Sequence, residues 1–509
     1  MSFQDEIQKL INYTEENLRT TDETKAEFID PRNYTARLYN KQNQVIFGRR
    51  GSGKSLLMKT LDTKSNDFIY LKSNLEDYKD TSFPNSILHV VVKFLKNLKP
   101  ILREHTTWYQ FGKRKKLKKL LKRIDNKLAD YSIQIKVPDS YDEKIREKDS
   151  GQIGGEIEAN KGFAKAKLST SIAAEKESQK SLLRNKADLI KNEIPDLKEI
   201  LIDAAELLND KAIYLGLDDF YFIRKSEQPF FIDFFHRLTK DTKLYLKVAT
   251  IRYRSKLYTT TGESYVGTEL GHDIVEIDLD YTLDRYDLMQ NFMRELLNEA
   301  IKNSTAQIEI SRLFSENGFK QLCLASGGVP RDFLSLTLKL ASSYVSESNT
   351  ISKIDVTEVA ISNFTNKSDA YAKDSAEEKE VLDLYLSYLK DFLFNTKRTN
   401  MFLVSNQDVE NYPQINQAIK ELMDLRMIHL VEPIISCAPS DGKKYAAYML
   451  DIGLYTNSKP RNFTQIEPGA SDDKSRKDQI RSAPRINLDE LKANIENESP
   501  QLELDLTKN

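Results

Sequence analysis

Four short stretches carry residues whose types and spacing suit phosphate chemistry. The first is GRRGSGKSL, residues 48–56. Gly48, Gly51 and Gly53 permit backbone angles and close approach that a Cβ would resist. With Arg50, Ser52 and Leu56 they build a loop whose N–H groups can wrap a phosphate chain. Lys54 is placed to reach the terminal phosphates and Ser55 to ligate Mg²⁺. The pattern G-x-x-x-x-G-K-S is that of a phosphate-binding P-loop. The second stretch, IYLGLDD at 213–219, ends in two carboxylates. Asp218 is suited to hold Mg²⁺ through water, and Asp219 to orient or deprotonate an attacking water. The third, LYLKVATIRYR, leaves an apolar run at Thr250 and continues to Arg252 and Arg254 on alternate positions. The fourth, GGVPRDFL at 327–334, turns at two glycines and begins a helix at Pro330, with Arg331 in its first turn. Arginine is the side chain best matched to phosphate.

These residues need a parallel sheet to hold them. Val45, Ile46 and Phe47 predict a buried strand before the loop. Leu56, Leu57 and Leu61 predict one face of a helix after it. Ile213, Leu215 and Leu217 predict a second strand, and 244–250 a third. The cofactors implied are ATP and Mg²⁺.

At 509 residues with 39% hydrophobic side chains, the chain is long enough for several cores. The net charge of −1 gives no overall attraction to nucleic acid, so any basic surface must be local. Two cysteines, Cys323 and Cys437, have no metal-ligand spacing and suit core packing in a reducing cytoplasm. The first residues lack the pattern of a secretion signal, and no apolar run is long enough to span a bilayer. A cytoplasmic protein without membrane contact is expected.

Between the first two motifs lies an insertion. Lys113, Arg114, Lys115, Lys116, Lys118, Lys119, Lys122 and Arg123 crowd one helix, with Leu117, Leu120, Leu121, Ile124 and Leu128 as its apolar stripe. DNA phosphates, anionic lipid or an acidic protein all fit such a face, as does a solvated helix packed by its leucines. Residues 151–175 alternate with period two and predict a β-hairpin arm turning at Asn160-Lys161. Residues 376–455 read as a winged helix with Lys443 and Lys444 at the wing tip, for DNA or for packing on the core. Beyond about 457 the composition turns polar and predicts a mobile linker. It ends at Gln501, Leu502, Leu504 and Leu506, similar to short peptides that dock on the bacterial sliding clamp.

The order of GRRGSGKS, IYLGLDDF, LKVATIRYR, DLDYTL and SGGVPRDFL, then a winged helix, resembles the AAA+/STAND superfamily. The likeness is strongest to ATPases of origin-recognition-complex type and their bacterial relatives. It covers roughly 35–75 and 205–455. The resemblance implies that Thr250 contacts the γ-phosphate and water, and that Arg331 is a sensor on a helical lid over the nucleotide. Three departures stand out. The family's second carboxylate is Glu and here it is Asp219, one methylene shorter, which implies slow turnover. The stretch YVGTELGHDIVEI holds no arginine finger, so ring assembly of the usual kind is not implied, although a homo-oligomer remains open. The segment from Lys54 to Asp218 is far longer than one crossover needs.

The fold class expected is an α/β P-loop ATPase core with flanking helices, a helical lid, a C-terminal winged helix and a helical and β-hairpin insertion. The divisions are 1–84 and 209–280 for the core, 85–208 for the insertion, 281–370 for the lid, 371–457 for the winged helix and 458–509 for the tail. Two functions fit: a nucleotide-controlled switch or loader on DNA, or an ATPase that regulates a partner effector in an antiphage or toxin–antitoxin-like module.

Overall fold

The computed structural model describes residues 2–498 except 22–23, 25, 63–64, 66, 106–110, 137–189, 262–263, 345–348, 375–378, 456–459 and 470–476. The predicted hairpin arm at 151–175 and the clamp-like motif at 501–506 lie outside the described residues.

Helix α1 (Phe3–Asn17) starts at Ser2, whose hydroxyl and Asp5 form a reciprocal cap. Helix α2 (Tyr34–Leu38) leads to strand β1 (Gln44–Phe47), and α3 (Lys54–Lys59) follows the P-loop. Then come β2 (Phe68–Asn74), α4 (Asn85–Glu104), α5 (Phe111–Lys136), α6 (Ile194–Leu207) and β3 (Ala212–Asp218). Helix α7 (Gln228–Thr239), β4 (Leu244–Thr250), the hairpin of β5 (Tyr258–Thr261) and β6 (Ser264–Gly267), and β7 (Val275–Asp278) complete the core. The five-stranded sheet is parallel, in the order β2-β3-β4-β1-β7. Strand β1 is interior, between β4 and β7, and buried at every residue, as a strand covered by helices on both faces must be. The parallel strands therefore carry the P-loop after β1 and the acidic end of β3 at the same, C-terminal end of the sheet, which is the P-loop ATPase core.

Two of the expected divisions need correction. The insertion does not begin at residue 85. Leu88, Val91, Leu95 and Leu98 of α4 and Leu197, Ile200 and Leu201 of α6 share one cluster with Leu71 and Leu215 of the sheet. These helices are the crossover from β2 to β3, and among the described residues α5 alone packs outside them. Nor does the first stretch belong wholly to the core. Ile7, Leu10 and Ile11 join the lid's cluster instead. Hydrophobic spacing identifies a helix's buried face but not the surface that covers it.

The lid consists of α8 (Tyr286–Asn303), α9 (Glu316–Ser326), α10 (Pro330–Tyr344), α11 (Lys353–Ser362) and α12 (Phe364–Asp374). After it come α13 (Lys379–Lys390), β8 (Met401–Ser405), α14 (Pro413–Asp424), β9 (Ile428–Ser436) and β10 (Lys444–Leu450). These three strands form an antiparallel sheet in the order β8-β10-β9.

The tail is not a free linker over 477–498. Residues 484–486 run beside β8, where Leu403 N–H donates to Pro484 O at 2.8 Å and Ile486 N–H to Leu403 O at 2.9 Å. Helix α15 (Leu488–Glu498) then buries Leu488, Leu491 and Ile495. The polar composition hid three apolar residues at helical spacing, and pairing satisfies an edge strand that would otherwise expose its N–H and C=O groups. Leu491→Ala is expected to cost about 2–4 kcal/mol, read as a lower urea midpoint. An unchanged midpoint would mean that the helix does not dock.

Candidate nucleotide-binding site

The P-loop takes its shape from glycines at two left-handed positions, Gly51 with φ 90° and Gly53 with φ 97°. Gly53 caps α3, so the helix N-terminus opens toward the loop. Lys54 is buried and folds back on its own loop, donating to Gly48 O at 2.8 Å and Arg49 O at 3.2 Å. Burial pulls its pKa below the usual lysine value, while Asp219 and Asp218 oppose that shift. Those two carbonyls hold the ammonium where an incoming phosphate oxygen can replace them.

Across the cleft Asp218 ends β3 beside Asn74 of β2. Its carboxylate accepts the N–H of Asp219 at 2.9 Å. Asp219 is left-handed, with φ 56° and ψ 44°, a conformation aspartate tolerates better than most residues. Burial and the adjacent Asp218 push its pKa up to about 6. Two neighbouring carboxylates and the Ser55 hydroxyl make an all-oxygen donor set that fits a hard cation such as Mg²⁺.

Arg331 closes the third side. Its backbone N–H donates to Gly51 O at 3.2 Å. A Cβ on Gly51 would stand 2.8 Å from the Arg331 Cβ, so the lid rests directly on the P-loop. Burial, then the neighbouring Arg50 charge, lowers the guanidinium pKa. Arg50, Gly51, Gly53, Lys54, Ser55, Asp218, Asp219 and Arg331 all line one cleft of about 850 Å³.

Other predicted contacts are placed differently. Gly48, Ser52 and Leu56 do not line the cleft. Ser52 packs inside the loop, and a Cβ on Gly48 would stand 2.3 Å from its Oγ. Thr250 also does not reach the cleft; it is buried, with its Oγ1 2.5 Å from Ser255 Oγ. Its carbonyl instead accepts the Gly48 N–H at 3.2 Å, which ties β4 to the P-loop. Arg252 is committed to β7, at 2.5 Å from Glu276 and 2.8 Å from Asp278, with its guanidinium over the Phe47 ring.

Sequence reasoning missed the residues that join the parts. Arg49 accepts no ligand role: its N–H donates to Asp280 at 2.9 Å and its guanidinium to Tyr281 O at 2.9 Å. The DLDYTL segment thus clamps the P-loop from behind. Asn74 and Glu76 line the cleft from the end of β2, and Leu18, Arg19 and Thr20 from the end of α1.

Residues around the β8–β10 sheet supply the far wall. Arg426 lines the cleft and donates to both oxygens of Asp332, at 2.7 and 2.8 Å. Asp451 also lines it, paired at 2.5 Å with Lys367 and at 2.8 Å with the buried His429. Of the two readings for this unit, DNA or packing on the core, α14 takes the second: it faces the core. Asp424 accepts the Tyr253 N–H at 2.7 Å, Gln417 donates to Tyr253 O at 3.4 Å, and buried Glu421 pairs with Lys225 at 3.1 Å. Lys443 at the wing tip pairs with Asp408 at 2.7 Å, and Lys444 donates to Ser436 at 2.8 Å.

With the geometry assembled, comparison places the P-loop region. Residues 13–83 match the family model described as ORC-CDC6-like. No curated protein matches the chain. Among solved structures, a Walker-type ATPase of Pyrococcus abyssi is 13% identical and covers 85% of this chain and 97% of its own, at a TM-score of 0.36. The Aeropyrum pernix ORC1 protein in complex with DNA is 10% identical, covering 88% of each chain at a TM-score of 0.31. The likeness to the ORC-CDC6-like model is confined to residues 13–83. No described helix is long and apolar enough to cross a membrane.

Two outcomes test this geometry. Gly51→Ala adds a strained φ and a clash with the lid, and is expected to cost about 1–3 kcal/mol and to weaken ATP binding, as read by thermal melting with and without nucleotide. Asp424 is pushed by burial up to about 7, against an unfolded value of about 3.9. The folded form therefore holds a proton that the unfolded form has released. Stability from this site is full below about pH 4 and is lost as pH rises to about 7. Asp424→Asn is expected to flatten that slope in denaturation measured across the window.

Proposed function

We propose that the protein is an ATP-binding, slowly hydrolysing switch that acts on DNA. The observation that carries the reading is one cleft in which the P-loop Lys54, the Asp218–Asp219 pair and the lid Arg331 converge. Lys54 and Arg331 bind the phosphates, Arg331 bringing the lid with it. Ser55 and Asp218 hold Mg²⁺, which when bound offsets phosphate charge. Asp219 as carboxylate orients and deprotonates the attacking water. Its short side chain and its raised pKa both favour slow turnover.

The switch follows from the walls of the cleft. Core, lid and winged helix each contribute residues, so a nucleotide that bridges them changes how they sit together. The docked α14 supports a state in which the winged helix is held on the core until Arg426 and Asp332 part. The ORC-CDC6-like P-loop supports DNA as the object of the switch.

A second reading, regulation of a partner effector protein, is favoured by the β5–β6 hairpin. Tyr258 and Tyr265 lie on one face of it, 58% and 51% exposed, an aromatic patch suited to a protein partner.

ATP turnover by the purified chain decides between these. Lys54→Ala is expected to abolish binding and turnover. Asp219→Asn should retain ATP affinity and lose turnover, by about 100-fold or more. Wild-type turnover should rise with pH through about 6, as Asp219 gives up its proton. Stimulation by duplex DNA that fades with salt supports the first reading. Turnover indifferent to DNA, with an effector enzyme whose activity follows the ATP state, supports the second.

A further inference from the structure

The basic helix α5 is not one uniform positive surface. On its inner side Arg123 pairs with Asp203 at 2.7 Å and with Glu199 at 2.8 Å, both on α6. Lys116 pairs with Glu206 at 3.0 Å, and Lys127 with Glu193 and, at 2.8 Å, Asp196. Lys113 donates to Asn209 at 2.6 Å. The helix α6 thus neutralises this side. The apolar stripe is also used: Leu120 and Ile124 are buried in the core cluster with α4 and α6, with Leu117 and Leu128 packed against it.

Four lysines of the 113–123 run lie on the other side. Lys115, Lys118, Lys119 and Lys122 are all exposed, and none has a carboxylate partner among the described residues. At 3.6 residues per turn they fall within about 100° of the helix circumference and about 10 Å of its length. That arc lies opposite Ile124, so the packing that fixes α5 also turns these ammonium groups outward.

We propose that this outward face of α5 is a docking surface for the phosphate backbone of duplex DNA. The proposal rests on the DNA reading above and locates the contact away from the wing. Three features select the partner. The face offers only lysines, point charges suited to phosphate contact without base readout. The stripe of leucines that a membrane-bound helix would sink into lipid is already buried in the protein. The helix that would ordinarily enter a groove, α14, is docked on the core through Asp424 and Glu421. A backbone contact of four phosphates is weak and independent of base sequence, as suits a platform that holds DNA while the nucleotide state changes elsewhere.

The test uses the full chain and a fluorescently labelled duplex, read by anisotropy without nucleotide. Four phosphate contacts predict a slope of about −3.5 in log affinity against log salt, or roughly 100-fold weaker binding between about 50 and 200 mM salt. Replacing the four lysines together, Lys115→Gln, Lys118→Gln, Lys119→Gln and Lys122→Gln, should remove that slope while leaving the melting temperature in place. The pair Lys116→Gln and Arg123→Gln should lower the melting temperature and leave the slope unchanged. An unchanged slope in the fourfold variant overturns the proposal. So does wild-type protein that binds phosphatidylserine vesicles or acidic polypeptide but not duplex. Wild-type binding that depends on the four lysines, together with turnover indifferent to DNA, would uphold the docking surface and overturn the switch on DNA.

Discussion

The lid touches the P-loop backbone to backbone. Arg331 N–H donates to Gly51 O, and the space between the two residues is too small for a Cβ on Gly51. A glycine is needed there twice, for its positive φ and for that approach. The contact sets the position of Arg331 over the P-loop. It also sets Asp332, the next residue, and through Asp332 the position of Arg426 on the winged helix. A single tight contact at the loop therefore carries the geometry of three parts of the chain.

The same logic explains why so many charged groups are buried near the cleft. Lys54, Arg331, Asp219, Asp424, His429 and Asp451 would each be costly alone in a low-dielectric interior. Here each has a partner or a nearby opposite charge, and most partners come from a different part of the fold. Lys367 of the lid meets Asp451, which follows β10, and His429 of β9 meets the same carboxylate. Buried pairs of this kind add little net stability but strongly penalise separation of their halves. They define one closed arrangement that nucleotide binding has to work against or with.

Electrostatics also divides α5. Its sequence places eight cations within eleven positions, and the fold spends them unequally. The acidic residues of α6 lie on the side of that crossover helix against which α5 packs. The outer lysines keep their charge for solvent or for a partner. Local charge is therefore available although the whole chain is near neutral.

The chemistry-bearing motifs were legible in the sequence because their function depends on neighbours along the chain. A strand, a glycine loop and a helix must be consecutive to cradle a phosphate, so GRRGSGKS reads directly, as does a strand that ends in Asp218 and Asp219. Arg331 was legible through Pro330 and the preceding glycines, which fix a helix start. Thr250 was misjudged because the direction of a side chain at a strand exit depends on what lies five residues later, here Ser255. The tail was misjudged because Leu488, Leu491 and Ile495 are few among polar residues, and only the exposed edge of β8 and the face of α13 make their burial worthwhile. The sequence by itself determined the loop, the acidic strand end and the arginine. Tertiary structure alone decided that Arg49, Asp280 and Arg426 hold them together and that α14 faces inward, since those contacts join residues more than ninety positions apart and leave no periodic trace in the chain.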